Sequence, residues 1–414
     1  MATKVLMYGW EFPPHNSGGL GVACMGLSYA LKREGFDITF VLPKGLASSN
    51  DGVKIKLAGV DDIKYKGIAS PVTPYMSAGE YDKKFGKRGA RNRGSIYGDS
   101  LMAEVRRYAL LGGALVKDDA YDVIYAHDWL SFGAGLEAKR ISGKPLIVHI
   151  HATEYDRTGG SGVNEEVYQM EYDGFHEADC IIAVSEYTKS MVVKHYHVNP
   201  NKVVVVHNGI DDVTFPFSRG GNEKLQGLRN AGYSIVLYYG RITIQKGVDY
   251  LIKAARRVLE KNPKVIFLIV GSGDMQRQLM QEAAYYKIGD KVLFHDFMRG
   301  QELADTIASS NVVVMPSVSE PFGIVPLEAM KLGTPVIISK QSGVSEVVKN
   351  ALKVDFWDTD EMANKILGVI GYSGLHKTLR DNGATEVVHI SWERAAQKVR
   401  EVIERLKNWF SQEI

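Results

Sequence analysis

The chain has little cysteine, little net charge and no long apolar run. Its two cysteines, Cys24 and Cys180, stand in apolar helix or strand contexts and offer no disulfide framework or metal-ligand spacing. The N-terminus has too few apolar residues for a signal peptide, and no run approaches the length of a membrane span. A net charge of +2 gives no bulk attraction to nucleic acid or membranes. These absences predict a cytoplasmic protein with neither partner.

The dinucleotide-binding pattern G-x-G-x-x-G is also missing, and no ribose-binding acid follows at the expected distance. This disfavours a dehydrogenase. A glycine pair, Gly18-Gly19, does occur in the first loop, ahead of a helix. Paired glycines let backbone N–H groups approach a phosphate closely, although a plain tight turn is the alternative.

What the chain does contain is a repeated alternation of strands and helices. At 414 residues it is too long for one core, and 45% hydrophobic content is ordinary for a globular protein. One βαβ series starts at Lys4–Tyr8 and a second at Ile235–Tyr239, with a polar segment from Phe215 to Tyr233 between them. The pattern predicts two doubly wound α/β domains, 1–214 and 215–390, followed by a helix in 391–414.

The stretch from Asn311 to Ile338 suggests a ligand site. Val312–Val314 reads as a buried strand, and Pro326 suits the first turn of the next helix. Glu320 and Glu328 stand on either side of Phe322-Gly323-Ile324 in the connection. Strand-to-helix connections bind anionic groups, whereas carboxylates accept hydrogen bonds from hydroxyls. The stretch therefore predicts a ligand that is both phosphorylated and rich in hydroxyls.

Two cations follow the strand Ile235–Tyr239, which is predicted in the same sheet. Arg241 and Lys246 in this position can neutralise a diphosphate without a metal ion. Cations after a strand are by themselves more often surface residues. The shared carboxyl edge with the Glu320 segment favours the ligand-binding interpretation.

Histidines mark the ends of two strands in the first domain. His149 and His151 alternate along one strand, and His127 ends another. A metal site is conceivable, but no clear cysteine or acidic ligand set accompanies them in sequence. His151 is the better candidate for a substrate contact and His149 for a structural position. Asp128 either orients a ligand hydroxyl or caps the following helix.

Two further polar segments have simpler explanations. Asp358 and Asp360 match a D-x-D pattern that can hold a divalent ion, but they precede a helix and are predicted to cap it. Lys83–Gly98 carries six basic residues without periodicity. It is either a solvated surface loop or a loop that closes over an anionic ligand.

Together these motifs resemble the retaining nucleotide-sugar glycosyltransferases of the GT-B fold, in particular the fourth sequence family and the related glycogen and starch synthases. The matching segments are PHNSGGL at Pro14–Leu20, HDW at His127–Trp129, His151, NGID at Asn208–Asp211, R-x4-KG from Arg241, and E-x7-E from Glu320 to Glu328. The resemblance implies two Rossmann-like domains facing a central cleft, with a C-terminal helix that crosses back to the first domain.

The resemblance also implies roles for the matching residues. The catalytic group comprises His151, Arg241, Lys246 and Glu320. The donor-binding group comprises Gly18, Gly19, Phe322, Gly323, Ile324 and Glu328. The acceptor side comprises Asp128 and His127. In this scheme the two cations bind the donor diphosphate, Glu320 holds sugar hydroxyls, Glu328 holds the ribose, and His151 contacts the sugar near the reacting centre. No metal, cofactor or covalent nucleophile is implied.

One position departs from the glycogen and starch synthases. They carry a lysine in K-x-G-G, whereas this chain has Asn16. Since one phosphate-binding cation is missing, donor choice and polymer synthesis do not carry over. The expectation is glucosyl transfer from UDP- or ADP-glucose to a glucan or small sugar. Alternatives are trehalose-, sucrose- or mannosyl-type transfer, an epimerase or phosphorylase, and a non-catalytic sugar-nucleotide-binding protein.

Overall fold

A computed structural model describes residues 2–13, 18–43, 49–50, 53–57, 99–160, 162–211, 217–218 and 220–412. The chain divides into two compact units. Unit 1 is Met1–Gly209 with Trp392–Ile414, and unit 2 is Ile210–Ser391. The predicted boundaries, after residues 214 and 390, lie close to these bounds. Among the described residues, no helix combines the length and the apolar character of a membrane span.

Unit 1 is built on an eight-stranded sheet. Its strands are β1 (Lys4–Tyr8), β2 (Asp37–Leu42), β3 (Ser49–Asn50), β4 (Val53–Leu57), β5 (Val123–His127), β6 (Leu146–Ile150), β7 (Cys180–Ala183) and β8 (Val203–Val205). Among the described residues before the second unit, its helices are α1 (Gly19–Arg33), α2 (Asp99–Ala114), α3 (Trp129–Ser142), α4 (Glu154–Arg157), α5 (Glu165–Glu177) and α6 (Glu186–Tyr196).

The strand order in unit 1 is β3-β4-β2-β1-β5-β6-β7-β8. All neighbouring strands are parallel except β3 and β4. Strands β2 to β4 lie on one side of β1, and strands β5 to β8 follow one another on its other side. Ligands of open α/β sheets bind where the order reverses, so the carboxyl ends of β1 and β5 are the expected site in this unit.

Unit 2 has a six-stranded parallel sheet. Its strands are β9 (Ser234–Tyr239), β10 (Val265–Val270), β11 (Val292–His295), β12 (Val312–Met315), β13 (Val336–Ser339) and β14 (Leu352–Val354). Its helices are α7 (Glu223–Asn230), α8 (Val248–Lys261), α9 (Gln276–Tyr285), α10 (Gly300–Ala308), α11 (Val325–Lys331), α12 (Val344–Val347), α13 (Thr359–Gly371) and α14 (Ser373–Val387).

The strand order in unit 2 is β11-β10-β9-β12-β13-β14, so the order reverses between β9 and β12. Both strands are buried along nearly their whole length, which fits their continuous apolar sequences. The two sheets with their helices confirm the prediction of two doubly wound α/β domains.

The last helix, α15 (Trp392–Gln412), belongs to unit 1. The apolar stripe that the sequence predicts is buried, and it comprises Ala395, Ala396, Val399, Val402, Ile403 and Leu406. The Trp392 ring lies so close to Gly26 of α1 that a Cβ there would stand 2.4 Å from the indole. Ion pairs join Arg33 to Glu393 at 2.5 Å and Arg400 to Glu34 at 3.2 Å. The position of this helix in unit 1 is thus fixed by packing, and the two surface ion pairs add little to it.

The D-x-D segment caps α13. The Asp358 carboxylate accepts a hydrogen bond from the backbone N–H of Glu361 at 2.9 Å, and Asp360 pairs with Arg257. These contacts confirm the capping interpretation. A carboxylate at this position satisfies one of the helix's free N–H groups and interacts favourably with its dipole.

The connections that follow β9 and β12 come into contact at a glycine, Gly247. Gly247 has a φ of +61°, and a Cβ on it would lie 2.2 Å from the carbonyl oxygen of Pro316. Beside it, the N–H of Val318 donates to the carbonyl of Gln245 at 2.9 Å. The close approach of the two backbones therefore depends on a residue without a side chain.

We expect Gly247→Ala to lower the free energy of unfolding by about 2 kcal/mol or more, because alanine disfavours the left-handed conformation and its methyl group meets Pro316. Urea unfolding checks this. Gly289→Ala is the matched control, since Gly289 is exposed and a Cβ there meets no atom within 4 Å. Equal unfolding midpoints for the two variants contradict the expectation.

Candidate functional site

The carboxyl ends of β9 and β12 bring a lysine and a glutamate together. The Lys246 ammonium lies 2.7 Å from a carboxylate oxygen of Glu320, and the Ser317 hydroxyl donates to that same oxygen at 3.0 Å. Only 19% of the Lys246 side chain and 11% of the Glu320 side chain is exposed. The pair lies at the reversal of the unit 2 sheet, which is where ligands of this architecture bind.

The backbone from Glu320 to Phe322 is hydrogen-bonded to the connection that follows β13. The N–H of Glu320 donates to Gln341, and the N–H groups of Gly343 and Val344 donate back to the carbonyls of Glu320 and Phe322. These three hydrogen bonds measure 3.0, 2.9 and 2.7 Å. They fix the segment that the sequence predicts as a ligand loop before any ligand arrives.

Gly323 and Ile324 complete this loop. Gly323 has a φ of +95°, and a Cβ on it would lie 2.9 Å from the Glu320 side chain. The N–H groups of Gly323 and Ile324 donate to no residue in the described part of the chain. A loop with rigid carbonyls and unused N–H groups is suited to an anionic or hydroxyl-bearing ligand.

Arg241 follows β9 in the same region. Its carbonyl accepts a hydrogen bond from the Tyr238 hydroxyl at 2.5 Å. Burial raises the pKa of Tyr238, the Glu320 charge raises this pKa further, and the Arg241 charge lowers it. Both charged groups therefore act on one tyrosine ring. The structure thus brings Arg241, Lys246 and Glu320 into one neighbourhood of the unit 2 sheet.

Sequence reasoning did not single out the glycines after β10. A Cβ on Gly271 would lie 1.9 Å from the Gly240 carbonyl oxygen, and a Cβ on Gly273 would lie 2.1 Å from that of Ile242. The N–H of Ile242 also donates to the Ser272 carbonyl at 2.9 Å. Gly271 and Gly273 therefore position the backbone around Arg241. The signal in the sequence was the V-G-S-G run at a strand end.

Glu328 lies on α11 and is half-buried. The Tyr239 hydroxyl lies 3.0 Å from a Glu328 carboxylate oxygen and 2.9 Å from the carbonyl oxygen of Val325. Burial raises the pKa of Glu328 to about 7, although Tyr239 and Lys331 act to lower it. The Tyr239 hydroxyl has a single proton, so it cannot donate fully to both the Val325 carbonyl and the Glu328 carboxylate. When Glu328 is protonated, it can donate to the Tyr239 oxygen, and the tyrosine proton is then available to Val325. Near neutral pH both protonation states are populated.

Three histidines form a buried stack in unit 1. The His149 ring lies 4.2 Å from that of His151, and its Nδ1 lies 2.9 Å from the Tyr125 hydroxyl. Nδ1 of His127 lies 3.0 Å from Nε2 of His151. Burial lowers the pKa of all three imidazoles, that of His151 to about 3. All three are therefore neutral at physiological pH, and His149 has the structural position that the sequence suggests.

Asp128 holds the backbone of His151. One of its carboxylate oxygens accepts from the N–H of His151 at 2.6 Å and from the N–H of Ala152 at 3.4 Å. Its side chain makes no capping hydrogen bond to α3, so the capping alternative is wrong. Asp128 has a φ of +58°, which is strained for a residue other than glycine, and burial raises its pKa to about 6.

The acceptor-side assignment of His127 and Asp128 stays a prediction. Neither side chain has exposed surface, and each contacts His151, His127 through Nδ1 and Asp128 through a carboxylate oxygen.

A buried ion network follows His151 and was missed in the sequence. Arg157 lies 3.0 Å from a carboxylate oxygen of Glu154, also pairs with Glu171, and donates to the Ala152 carbonyl at 2.6 Å. Burial raises the pKa of Glu171 to about 7. Thr153 and Asp156 form a capping box at the start of α4, and this T-x-x-D pattern was the available signal. The network fixes the segment directly after His151.

The glycine pair at the start of α1 is only partly available to a ligand. The N–H of Gly18 donates to the Glu11 carboxylate at 3.1 Å, so it is already engaged. Around Gly19, a Cβ would meet no atom within 4 Å. Of the pair, Gly19 therefore stays the candidate for a phosphate contact. Asn16 and the basic segment Lys83–Gly98 lie outside the described residues.

Comparison with known proteins supplies the family. The family model described as glycosyl transferases group 1 matches residues 222–386, and that of Glycosyltransferase Family 4 matches residues 17–213. An uncharacterised glycosyltransferase of Methanocaldococcus jannaschii is 32% identical, over 95% of this chain and 96% of that protein. A glycogen synthase of Mycobacterium tuberculosis is 27% identical, over 84% of this chain and 80% of its own. A D-inositol 3-phosphate glycosyltransferase of Salinispora arenicola is 29% identical, over 68% of each.

Solved structures share the fold over the whole chain. Sucrose-phosphate synthase from Thermosynechococcus elongatus superposes with a TM-score of 0.75 at 20% identity, covering 98% of this chain and 99% of that one. Anabaena HepE in complex with UDP and glucose superposes with a TM-score of 0.70 at 19% identity, covering 97% and 100%.

These matches confirm the expected GT-B fold and the expected enzyme class, a hexosyltransferase. The conclusion rests on the full-length relative and on two family models that together reach from residue 17 to residue 386. The chain belongs to the group 1 glycosyltransferases, with a family 4 domain in its N-terminal half.

Proposed function

We propose that the protein transfers a glucosyl group from a nucleotide sugar, UDP- or ADP-glucose, to a hydroxyl of a glucan or small-sugar acceptor, with retention of the anomeric configuration. The observation that carries the proposal is the contact between Lys246 and Glu320 at the reversal of the unit 2 sheet. A nucleotide sugar has a diphosphate for the cation and sugar hydroxyls for the carboxylate.

The two partners hold each other in place before the donor binds. Each partly buried charge is compensated at 2.7 Å, and Ser317 occupies a further lone pair of Glu320. A donor replaces this contact with a phosphate on Lys246 and hydroxyls on Glu320, so neither charge is left unpaired during the exchange. The unused N–H groups of Gly323 and Ile324, together with that of Phe322, then donate to the sugar or phosphate oxygens.

The chemistry proposed for this arrangement needs no nucleophilic side chain. The bond between the anomeric carbon and the leaving phosphate oxygen breaks while the acceptor oxygen forms its bond on the same face. The acceptor proton passes to the departing phosphate. Arg241 and Lys246 stabilise the negative charge that develops on the diphosphate, which is the electrostatic contribution that usually dominates such catalysis.

The residues of unit 1 complete the proposal. His151 is neutral, and its backbone is fixed by Asp128, so its ring can accept or donate one hydrogen bond to the donor sugar. His127 and Asp128 then act by positioning His151. We place the reaction in the cytoplasm, on the composition of the chain alone.

The comparisons support a glucosyl donor and leave the acceptor broad. HepE was solved with UDP and glucose, and one relative is a glycogen synthase, whereas another is named for D-inositol 3-phosphate. The loop SEPFGIVPLEAM resembles the glucan-forming branch, which favours a glucan or small-sugar acceptor.

A donor and acceptor panel tests the function. We expect nucleoside diphosphate release from UDP- or ADP-glucose to require glycogen, maltose or a glucose phosphate, and to persist in the presence of a chelator because two fixed cations replace a metal. GDP-mannose is the control donor. Release without any acceptor indicates hydrolysis, and no release with any donor supports a non-catalytic binding protein.

We expect Lys246→Ala and Glu320→Ala each to reduce turnover by about a hundredfold or more, because each removes a charged contact to the reacting groups. Steady-state kinetics with the preferred donor measures this. The control is Lys253→Ala, which removes another lysine of unit 2 that pairs with an acid, Asp249, at 3.0 Å. Turnover close to wild type in both site variants rejects the assignment.

The affinity for an intact nucleotide sugar is expected to fall about tenfold from pH 8 to pH 6, because protonation of Glu328, with a pKa of about 7, removes the carboxylate that accepts ribose hydroxyls. Calorimetric titration across this range provides the measurement. A nucleotide sugar is used because its diphosphate does not titrate there. Glu328→Gln flattens the profile; an unchanged slope in this variant contradicts the role.

A further inference from the structure

Three residues from different parts of unit 1 bring a thiol and two imidazoles together. Cys24 lies on α1 without exposed surface, His127 ends β5, and His151 follows β6 with 9% of its surface exposed. One ligand atom of each residue lies within 4.8 Å of the other two. The sequence showed no cysteine near these histidines, because Cys24 joins them only through the fold.

The spacing is close to that of a metal centre. In a tetrahedral zinc site the ligand atoms stand roughly 3.3 to 3.7 Å apart, as metal–ligand bonds of about 2.0 to 2.3 Å require. Nδ1 of His127 and Nε2 of His151 are already 3.0 Å apart. With all three separations within 4.8 Å, an adjustment of roughly 1 Å gives this geometry.

The chemistry and surroundings of these residues also suit a cation. A neutral imidazole offers one nitrogen lone pair to a metal ion, and a cysteine binds such an ion as the thiolate. Asp128 directly follows His127 in the chain, and its carboxylate accepts a hydrogen bond from the N–H of His151 at 2.6 Å, so an acidic group lies beside two of the three residues. Among the described residues, the second Asp128 carboxylate oxygen has no hydrogen-bond partner. Such an unpaired buried group gains when a cation arrives.

We propose that Cys24, His127 and His151 form an inhibitory binding site for a borderline-soft divalent ion such as Zn²⁺. Binding forms one metal–sulfur and two metal–nitrogen bonds, breaks the S–H bond of Cys24, and releases that proton to solvent. A coordination position remains for water. Inhibition rests on the proposed function, since an imidazole that holds an ion cannot contact the donor sugar.

Cobalt binding tests the site without any substrate. Metal-free full-length chain, without a histidine tag, is titrated with Co²⁺, whose thiolate complexes show a charge-transfer band in the near ultraviolet. We expect one equivalent to bind with this band, Cys24→Ser to abolish the band, and Cys180→Ser to retain it, since Cys180 lies on β7. No band in the wild type, or a band that persists in Cys24→Ser, overturns the proposal.

Folding controls and a second variant show whether a lost cobalt band reflects a lost ligand or a misfolded chain. Circular dichroism and thermal unfolding establish that each variant is folded, and Cys24→Ala replaces Cys24→Ser where the buried hydroxyl destabilises the chain. His151→Gln should weaken Co²⁺ binding by about tenfold to a hundredfold. Unchanged binding in this variant excludes His151 as a ligand and overturns the three-residue site.

The kinetic consequence is measured separately with Zn²⁺. We expect Zn²⁺ to inhibit the wild type, a chelator to restore turnover, and Cys24→Ser to keep basal turnover while it requires about a hundredfold more Zn²⁺. Equal sensitivity of both proteins contradicts the inhibitory role. An inactive wild type with an intact cobalt band instead contradicts the proposed function, so the two failures are distinguishable.

Discussion

The reversal of strand order in the unit 2 sheet is the constraint on which the candidate donor site depends. Because β9 and β12 are parallel neighbours, the connections that leave them start side by side. Gly247 and Pro316 bring these connections into contact, and the Lys246–Glu320 pair forms beside that contact. A site made from fixed backbone and compensated charges loses little entropy when its ligand binds.

Buried charge recurs wherever a functional residue needs to be held. Asp128 accepts two backbone N–H groups around His151, and Arg157 joins two glutamates in the segment that follows. Such groups carry a large desolvation cost, so each has a partner or a raised pKa. The hydrogen bonds that the Asp128 carboxylate accepts from the His151 and Ala152 backbone also stabilise the strained φ of Asp128.

The histidine stack connects the proposed catalysis with its proposed inhibition. His151 is neutral because it is buried, and neutrality allows it to hydrogen-bond a sugar. The same lone pair is what a borderline-soft metal ion requires. In this proposal a sugar and a metal ion therefore compete for the same imidazole of His151.

The sequence by itself determined the secondary-structure elements and the chemical character of the candidate site loops. Apolar runs, glycines and caps are local signals, so β9, β12 and the cap of α13 could be predicted from short segments, as could the placement of Arg241, Lys246 and Glu320 after the strands of one sheet. The tertiary structure decided which distant residues meet: Cys24 with the histidines, Arg157 with Glu171, Gly271 with Gly240, and Asp128 with the backbone of His151. These contacts depend on strand order and helix packing, which bring together residues far apart in sequence and leave no periodic pattern in it.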